Sequence, residues 1–348
     1  MDFREYITNK IKKNKRIIEF GPLNRAIIKK DEFKNIYYSD IKSKKEIIDL
    51  YTGNEYLKNT GIEVDTGTIV DIDYVIKKDY KNTFKNIEKF DYAILSHVIE
   101  HMPDILFFFK DLENVLKDKG KVIIIYPDIR YCFDHFRNEA SLRDAYATYT
   151  DGTSQNARLS FDFMLNVIKE NNAYYLWNDL NISSRINTNN QREAIETYEN
   201  TKKGIFLDDV HYWSFSDYGF IKFLYEGKKL GLINYDLVEI YKTQPNTQEF
   251  MVILEYNKEQ NKSNFEYIKT VLDDLDPVIK ESKLRNEINN KNEEISKLSL
   301  GIIDKDNEIK DKNTNIEEIS NELSNIYNSK SWRYTNLLRN LSGIIRKK

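Results

Sequence analysis

A glycine turn and an acidic residue at a fixed spacing are the first candidates for chemistry in this chain. The apolar run of residues 16–20 contains one acid, Glu19, and ends at the turn Gly21-Pro22. Glycine has no Cβ, so a ligand can approach the backbone closely there. A second acid, Asp40, ends another apolar segment 21 residues after Glu19. An acid about 20 residues beyond a glycine turn is placed to bind ribose hydroxyls, so the pattern predicts a nucleoside cofactor.

A second cluster of reactive residue types, His97-Val-Ile-Glu-His101, matches H-x-x-E-H, the signature of inverted zinc peptidases. That chemistry requires both histidines on one face of a long helix. Here His97 directly follows a predicted strand, and Pro103 comes two residues after His101, so the helix is missing. We therefore predict no metal site, and a strand-to-helix loop in which Glu100 and His101 form local hydrogen bonds.

Alternating strand and helix patterns position these residues. The first part of the chain has strand candidates at 16–20, 35–39, 69–76, 90–96 and 120–126. Helix candidates lie at 23–30, 43–51 and 104–117, and Gly120 is the glycine expected just after the last of these helices. Such alternation predicts a parallel sheet with helices on both faces and ligands bound at the carboxyl ends of its strands. A helix at 216–230 and the strands 232–242 and 248–256 follow, joined by a short polar turn that predicts an antiparallel hairpin.

These patterns divide the chain into segments. Aromatic and polar residues without strand-helix rhythm fill 131–210, which we interpret as a partly helical cap. The predicted organisation is a core of 1–130 and 211–256, a cap insertion at 131–210, a linker at 257–283, a coiled coil at 284–328 and a basic amphipathic tail at 329–348.

A heptad repeat predicts the coiled coil. Isoleucine or leucine recurs every seven residues, at 288, 295, 302, 309, 316 and 323, with apolar partners at 284, 298, 319 and 326. Lysines at 291, 305 and 312 interrupt the partner positions. The alternative is a single solvated helix. We favour a homo-oligomer formed through this segment.

The tail at 329–348 carries six basic residues and no acid, interleaved with Trp332 and several leucines and isoleucines. A basic amphipathic segment of this kind fits either peripheral contact with an anionic membrane or docking to a protein. The sequence does not choose between the two.

Composition narrows the classes of function. The net charge is −3, so no global basic field points to nucleic acid. A single cysteine, Cys132, excludes a disulfide framework and fits a reducing compartment. We see no signal peptide and no membrane-spanning run, and expect the protein in the cytoplasm or at the inner face of the cell membrane.

Several motifs in order resemble the class I S-adenosylmethionine-dependent methyltransferases, and most closely the methyltransferase-domain proteins of bacterial surface-polysaccharide clusters. They are residues 18–23 (IEFGPL), 38–40 (YSD), 90–104 (FDYAILSHVIEHMPD), 115–122 (VLKDKGKV), 127–136 (PDIRYCFDHF), 210–211 (VH) and 249–254 (EFMVIL). The resemblance covers residues 15–256. It implies a Rossmann-like, seven-stranded, mostly parallel α/β sheet whose last strand is antiparallel, with S-adenosyl-L-methionine as cofactor.

The resemblance also implies roles by position. Glu19 and Gly21 would lie near the methionine moiety, Asp40 would bind the ribose, and Asp79 would meet the adenine. Ser96 and His97 would lie beside the sulfonium. Two features depart from the common pattern. The first turn has a single glycine followed by Pro22, and the acids Asp71 and Asp73 compete with Asp79 for the adenine role.

Methyl transfer to an oxygen requires a group that removes the acceptor's proton, and histidine is the usual base near neutral pH. The histidines are His97, His101, His135 and His211. We predict His211 and His97 as base candidates, with Asp128 and Asp134 in reserve. Each is equally consistent with an ordinary loop residue.

We therefore expect an S-adenosylmethionine-dependent methyltransferase that O-methylates a sugar of a cell-surface glycan or its precursor, a role in polysaccharide biosynthesis. His211-Tyr-Trp213 is the preferred cluster on the acceptor side. The alternative is a catalytically silent, methyltransferase-like scaffold subunit of a membrane-associated glycan assembly complex.

Overall fold

The computed structural model describes residues 2–53, 64–77, 79–168, 173–178, 191–206, 209–259 and 262–345. The chain forms two compact units, Met1–Asp276 and Pro277–Lys348. The predicted segment boundaries at 130, 210 and 256 lie within the first unit.

The first unit is built on a seven-stranded sheet with the spatial order β3-β2-β1-β4-β5-β7-β6. The strands are β1 Ile17–Phe20, β2 Ile36–Asp40, β3 Tyr74–Val75, β4 Phe90–Ser96, β5 Leu116–Pro127, β6 Tyr235–Tyr241 and β7 Glu249–Tyr256. Neighbouring strands from β3 to β5 are parallel, and β7 is antiparallel to both β5 and β6. The mostly parallel sheet with an antiparallel last strand confirms the predicted fold class.

Helices connect these strands and extend beyond them. In chain order they are α1 Phe3–Lys10, α2 Lys44–Gly53, α3 Tyr80–Thr83, α4 Ile105–Leu112, α5 Leu142–Asp151, α6 Ala157–Asn166, α7 Ala173–Trp177, α8 Gln191–Lys202, α9 Asp217–Lys229, α10 Lys262–Leu275, α11 Pro277–Asn328 and α12 Lys330–Ile345. The segments predicted as helices at 43–51 and 216–230 therefore correspond to α2 and α9.

The predicted helix at 23–30 was wrong. These residues form turns, because the backbone N–H groups of Ile27 and Ile28 donate to the side chain of Glu19 at 2.7 and 3.2 Å. A buried carboxylate that accepts two amides fixes the loop in a non-helical course.

The predicted helix at 104–117 is shorter than expected, and its predicted end at Gly120 was wrong. Helix α4 ends at Leu112, because Phe90 N–H donates to the carbonyl of Val115 at 2.9 Å and β5 begins one residue later. Gly120 therefore lies within β5. A Cβ there would approach the carbonyl oxygen of Lys117 to 2.9 Å, so the glycine serves the irregular start of that strand.

The predicted strand at 69–76 is reduced to the two residues of β3. Val70 N–H donates to the carbonyl of Leu23 at 3.1 Å, and Asp73 N–H donates to the carbonyl of Tyr38 at 2.9 Å. Backbone groups before β3 thus bond to the loop after β1 and to β2 in an irregular way, and only Tyr74 and Val75 enter the ladder.

Apolar side chains cover both faces of the sheet. One face packs Ile18, Phe20 and Leu95 against residues of α4 and α9. The other packs Ile17 and Ile94 with residues of α1 and of the loop around 26–33. Burial on both faces is what a parallel sheet requires, and it leaves the carboxyl ends of the strands as the place for a ligand.

The second unit consists of the 52-residue helix α11 and the shorter α12. None of the residues of α11 is buried. Among the helices that the structure describes in either unit, none has the length and apolar character needed to cross a membrane.

Candidate functional site

The first turn of the sheet has the open backbone that a cofactor site needs. Gly21 adopts φ +61°, and its N–H donates to the carbonyl of Ser39 in β2 at 2.9 Å. A Cβ at this position would lie 3.1 Å from Cγ2 of Val98. Glycine therefore keeps open a corner between the ends of β1 and β4 that a side chain would fill. Pro22 follows in the same turn, where its carbonyl accepts the N–H of Arg25.

Asp40 lies at the carboxyl end of β2, where the sequence pattern predicts it. Its Oδ1 accepts the N–H of Lys42 at 2.9 Å. Burial raises the pKa of the Asp40 carboxyl above its usual value, although the contact with Lys42 opposes the shift. The register pairs Glu19 with Tyr38, so Glu19 and Asp40 lie on the same face of the sheet. The residues at this corner fit a nucleoside cofactor.

Glu19 differs from its expected role beside the methionine moiety. Its side chain is 1% exposed, and both carboxylate oxygens accept amides of the loop after β1. Burial raises the pKa of Glu19 to about 7, although the hydrogen bonds from Ile27 and Ile28 oppose this. Glu19 therefore holds the loop after β1 through buried hydrogen bonds and does not present its carboxylate to a ligand.

The acids near β3 are all engaged within the protein. Asp79 caps α3, since its oxygens accept the backbone and side-chain N–H groups of Asn82 at 2.6 and 2.7 Å. Asp73 accepts the N–H of Tyr38, and Asp71 pairs with Lys44. Asp79 lies at the start of α3 near the carboxyl end of β3, and its adenine role stays a prediction.

Ser96 and His97 follow as expected at the end of β4. His97 adopts φ +53° and its Nε2 lies 2.7 Å from Oε1 of Glu249. Its Nδ1 lies 3.5 Å from Oε1 of Glu100. Burial opposes charge on this ring, but the two carboxylates outweigh it and raise the pKa of His97 to about 10. His97 therefore holds its proton near neutral pH. A protonated imidazole cannot accept the acceptor's proton, so His97 does not suit the predicted role of a base.

His211 is the better-placed candidate. It is 5% exposed, and its Nδ1 lies 2.6 Å from Oδ2 of Asp134. The other Asp134 oxygen accepts the Arg137 guanidinium at 2.9 Å. Burial works against the Asp134 anion, but His211 and Arg137 together hold the pKa of that carboxyl well below its usual range. A carboxylate that holds Nδ1 in this way orients the imidazole and leaves Nε2 for chemistry.

His211 meets two residues of the H-x-x-E-H segment. One ligand-type atom from each of Glu100, His101 and His211 lies within 4.8 Å of the others, and the two imidazole rings are 4.7 Å apart, edge to face. The expectation that Glu100 forms local hydrogen bonds was wrong, since neither carboxylate oxygen accepts one from the part of the chain that the structure describes. Sequence reasoning found the segment but missed its partner.

Backbone hydrogen bonds between distant segments create this cluster. The 3-10 turn Ile99–His101 follows β4. Tyr212 N–H and Trp213 N–H both donate to the carbonyl of Glu100, at 2.8 and 3.2 Å, and Trp213 Nε1 donates to the carbonyl of Met102 at 2.5 Å. Trp213 is 0% exposed and belongs to the core, so of the predicted acceptor-side cluster only His211 is directed at the site.

The remaining candidates lie elsewhere. Asp128 forms a pair with Arg130 at 2.6 Å and accepts the Thr243 hydroxyl at 2.5 Å, so it acts in a structural network. His135 lies against the carbonyl of Arg130 at 2.6 Å, away from the Glu100 cluster. In the cap, the Tyr131 and Trp177 rings stack with centroids 3.8 Å apart.

Residues 1–161 match a family model described as "Methyltransferase domain". The match covers both sides of the cofactor corner, from β1 to the loop after β5. Residues 1–161 are therefore similar to S-adenosylmethionine-dependent methyltransferase domains.

Several solved structures are similar to the chain. They include the mitomycin 7-O-methyltransferase MmcR (10% identity, 73% of this chain and 52% of that one, TM-score 0.33), the plantazolicin methyltransferase BpumL in complex with S-adenosylhomocysteine and a desmethyl analogue (10%, 73% and 81%, 0.35), and an S-adenosylmethionine-dependent methyltransferase from Methanosarcina mazei (10%, 73% and 98%, 0.32). The chain thus spans about half of the length of MmcR. A search of curated proteins found no match.

Asp40 should contribute to cofactor affinity. We expect Asp40→Ala to weaken binding of S-adenosylhomocysteine by about 1–3 kcal/mol, because a charge-assisted hydrogen-bond pair to the ribose is lost. Isothermal titration calorimetry measures this directly. Glu88→Ala is the control, since the Glu88 side chain is 68% exposed and has no predicted role at the cofactor site. Equal affinity in the wild type and the Asp40 variant would remove the ribose assignment.

Glu19 should make stability depend on pH. The folded chain binds the Glu19 proton more tightly than a free carboxyl with pKa 4.5 does, so stability falls as the pH rises from there towards 7. Glu19→Gln has no titratable group at this position. Its free energy of unfolding should therefore fall by about 2–3 kcal/mol less than that of the wild type over the same pH range. Urea unfolding at about pH 5 and about pH 8 tests it, with the exposed Glu88→Gln as control. Parallel pH profiles of the wild type and Glu19→Gln would contradict the buried-acid assignment.

Proposed function

We propose that this protein transfers the methyl group of S-adenosylmethionine to a hydroxyl oxygen of a sugar, on a cell-surface glycan or its precursor. The observation that carries O-methylation is the buried Asp134–His211 pair, which lies beside the loop after β4. Its His211 Nε2 is available where an acceptor hydroxyl would lose its proton.

The residues of the chain divide the work of such a reaction. When bound, the cofactor supplies a methyl group already activated by a positively charged sulfur. The Gly21 corner and Asp40 hold the nucleoside, and the loop fixed by Glu19 forms the wall behind it. Because the donor is already activated, the protein must chiefly align the acceptor and help remove its proton. His211 is oriented for that task by Asp134, whereas His97 already carries a proton.

Aromatic residues of the cap support a sugar as the acceptor. The stacked pair Tyr131 and Trp177 is half-buried, and Trp177 Nε1 donates to the carbonyl of Thr247 at 2.7 Å, which fixes the indole. Tyr131 lies three residues before Asp134, in the loop that carries the base-orienting carboxylate. A rigid aromatic face with polar edges suits the apolar side of a pyranose ring.

The acceptor class is tested by methyl transfer to a panel of nucleotide sugars and extracted glycans, with product mass read directly. We expect one acceptor to gain a methyl group, and His211→Ala to lower the rate at least about 100-fold. His135→Ala is the matched control and should keep the parental rate. Transfer to peptides or small phenols but to no sugar would overturn the glycan proposal, and an undiminished rate in His211→Ala would overturn the role of His211.

We further propose that the protein forms a homo-oligomer through α11. Every apolar residue of its heptad seam is exposed in the single chain, from 49% at Ile288 to 64% at Leu298. A row of this length needs a partner surface, and the seven-residue period is that of a coiled coil. The basic helix α12 follows directly, and we propose peripheral contact between it and the inner face of the cell membrane.

Paired substitutions in the full-length chain test the coiled coil. Ile295→Asp with Ile302→Asp places two charges in the seam, and the protein should fall to the mass of a single chain in light scattering. Leu300→Asp with Ile303→Asp is the matched control, because these residues are 64% and 55% exposed but lie off the seam. If both double variants keep the parental mass, α11 does not hold the oligomer together.

A further inference from the structure

We propose that Glu100, His101 and His211 bind a divalent transition-metal ion such as Zn²⁺ or Mn²⁺. The three side chains come from the turn after β4 and from the loop that returns from the cap to α9. One donor atom of each lies within 4.8 Å of the other two. The site itself rests on the geometry of these residues alone.

Glu100 is the residue that most needs an additional partner. It is 0% exposed, and neither of its carboxylate oxygens accepts a hydrogen bond from any residue that the structure describes. Its contact with a histidine, His97 Nδ1, is 3.5 Å long, beyond normal hydrogen-bond length. Burying an ionised carboxylate without close partners costs several kcal/mol. The protonated His97 supplies a positive charge at 3.5 Å, and a metal ion would add one at bonding distance.

Both histidines are arranged as metal ligands usually are. Each uses Nδ1 for an oxygen of the protein: His211 lies 2.6 Å from the Asp134 carboxylate and His101 lies 3.2 Å from the Val210 carbonyl. These contacts fix ring orientation and leave Nε2 as the available atom of each ring. Metal-bound histidines almost always have such an outer partner, a carboxylate or a carbonyl, on the second nitrogen.

The spacing fits an ion after a small adjustment. Ligand bonds to Zn²⁺ are about 2.0–2.2 Å, so tetrahedral donors lie roughly 3.4 Å apart and the widest pair here must close by about 1.4 Å. Two imidazoles with one carboxylate favour a transition metal over Mg²⁺, which prefers oxygen ligands. Three protein ligands would leave an open position for a substrate oxygen.

The position of the cluster connects it to the cofactor corner. Val98 is the residue that a Cβ on Gly21 would contact, and Glu100 follows it by two positions in the same turn. A hydroxyl bound at the open position would become more acidic. With a metal bound, His211 Nε2 would be a ligand and would not act as the base, so the metal would replace it in promoting loss of the hydroxyl proton. In the transfer the carbon–sulfur bond breaks, a carbon–oxygen bond forms, and the hydroxyl proton leaves to solvent. The metal is not changed. This role, unlike the site, rests on the proposed function.

Metal binding can be measured without any acceptor. The full-length protein is stripped with a chelator, dialysed, and titrated with Zn²⁺ and separately with Mn²⁺ by calorimetry, with bound metal counted by elemental analysis after gel filtration. We expect one ion per chain. Glu100→Gln, which keeps the shape of the side chain, and His211→Ala should each weaken binding at least about 100-fold. His135→Ala, which removes an imidazole outside the cluster, should bind as the wild type does.

Cofactor binding in the same samples separates the two proposals. Each variant is also titrated with S-adenosylhomocysteine, and intact affinity there shows that the fold and the Gly21 corner are preserved. Should His211→Ala fail to fold, a rise in melting temperature on adding metal, present in the wild type and lost in Glu100→Gln, gives the same answer. A wild type that takes up no ion, or a Glu100→Gln variant that binds metal as tightly as the wild type, would overturn the metal site while leaving the cofactor assignment intact.

Discussion

The hydrogen bonds between the turn after β4 and residues 210–213 are the constraint on which the active site depends. The backbone N–H groups of Tyr212 and Trp213 both donate to the carbonyl of Glu100. The Trp213 indole N–H donates to the carbonyl of Met102. These contacts join the end of a central strand to a segment that returns from the cap, and the buried indole anchors them in the core. Because of them, His211 lies beside Glu100 and His101 and not at the surface of a loop. The site is thus assembled by long-range backbone pairing, to which the buried contacts of Asp134 with His211 and Arg137 are added.

A second buried acid, Glu19, fixes the loop beside the Gly21–Asp40 corner. Glu19 uses both carboxylate oxygens to hold the loop after β1, and Gly21 keeps the space in front of that loop open. The two acids differ in their surroundings: Glu19, inside, fixes the backbone, while Asp40 lies at the end of β2, where we propose that it binds the ribose. The same contrast holds in the Glu100 cluster, where Asp134 orients an imidazole from behind. In both places a buried carboxylate fixes the neighbouring groups of the protein: the loop after β1 in one case and the His211 imidazole in the other.

The sheet and the cofactor corner could be predicted from the sequence because they depend on local patterns. The mispredicted features depend on contacts between residues far apart in the chain. Strand–helix alternation is local, so the sheet, the corner at Gly21 and the strand-end acid Asp40 could be predicted. The helix predicted at 23–30 has an adequate helical pattern, but the side chain of Glu19 outcompetes it for two amides. H-x-x-E-H was visible as a motif and was dismissed for lack of a helix. Its actual partner, His211, is brought in by tertiary contacts that no spacing rule encodes. The protonated state of His97 likewise depends on Glu249, a residue from the far strand β7.

We propose that the Gly21–Asp40 corner and the Glu100–His101–His211 cluster form one active site that binds S-adenosylmethionine and, next to it, a metal. A crystal structure of the full-length protein with S-adenosylhomocysteine and Mn²⁺ tests it most directly. We expect ribose hydroxyls at the Asp40 carboxylate, the sulfur directed towards the turn after β4, and an anomalous peak bonded to all three cluster side chains. A nucleoside bound elsewhere on the sheet, or a sulfur turned away from that turn, would contradict it.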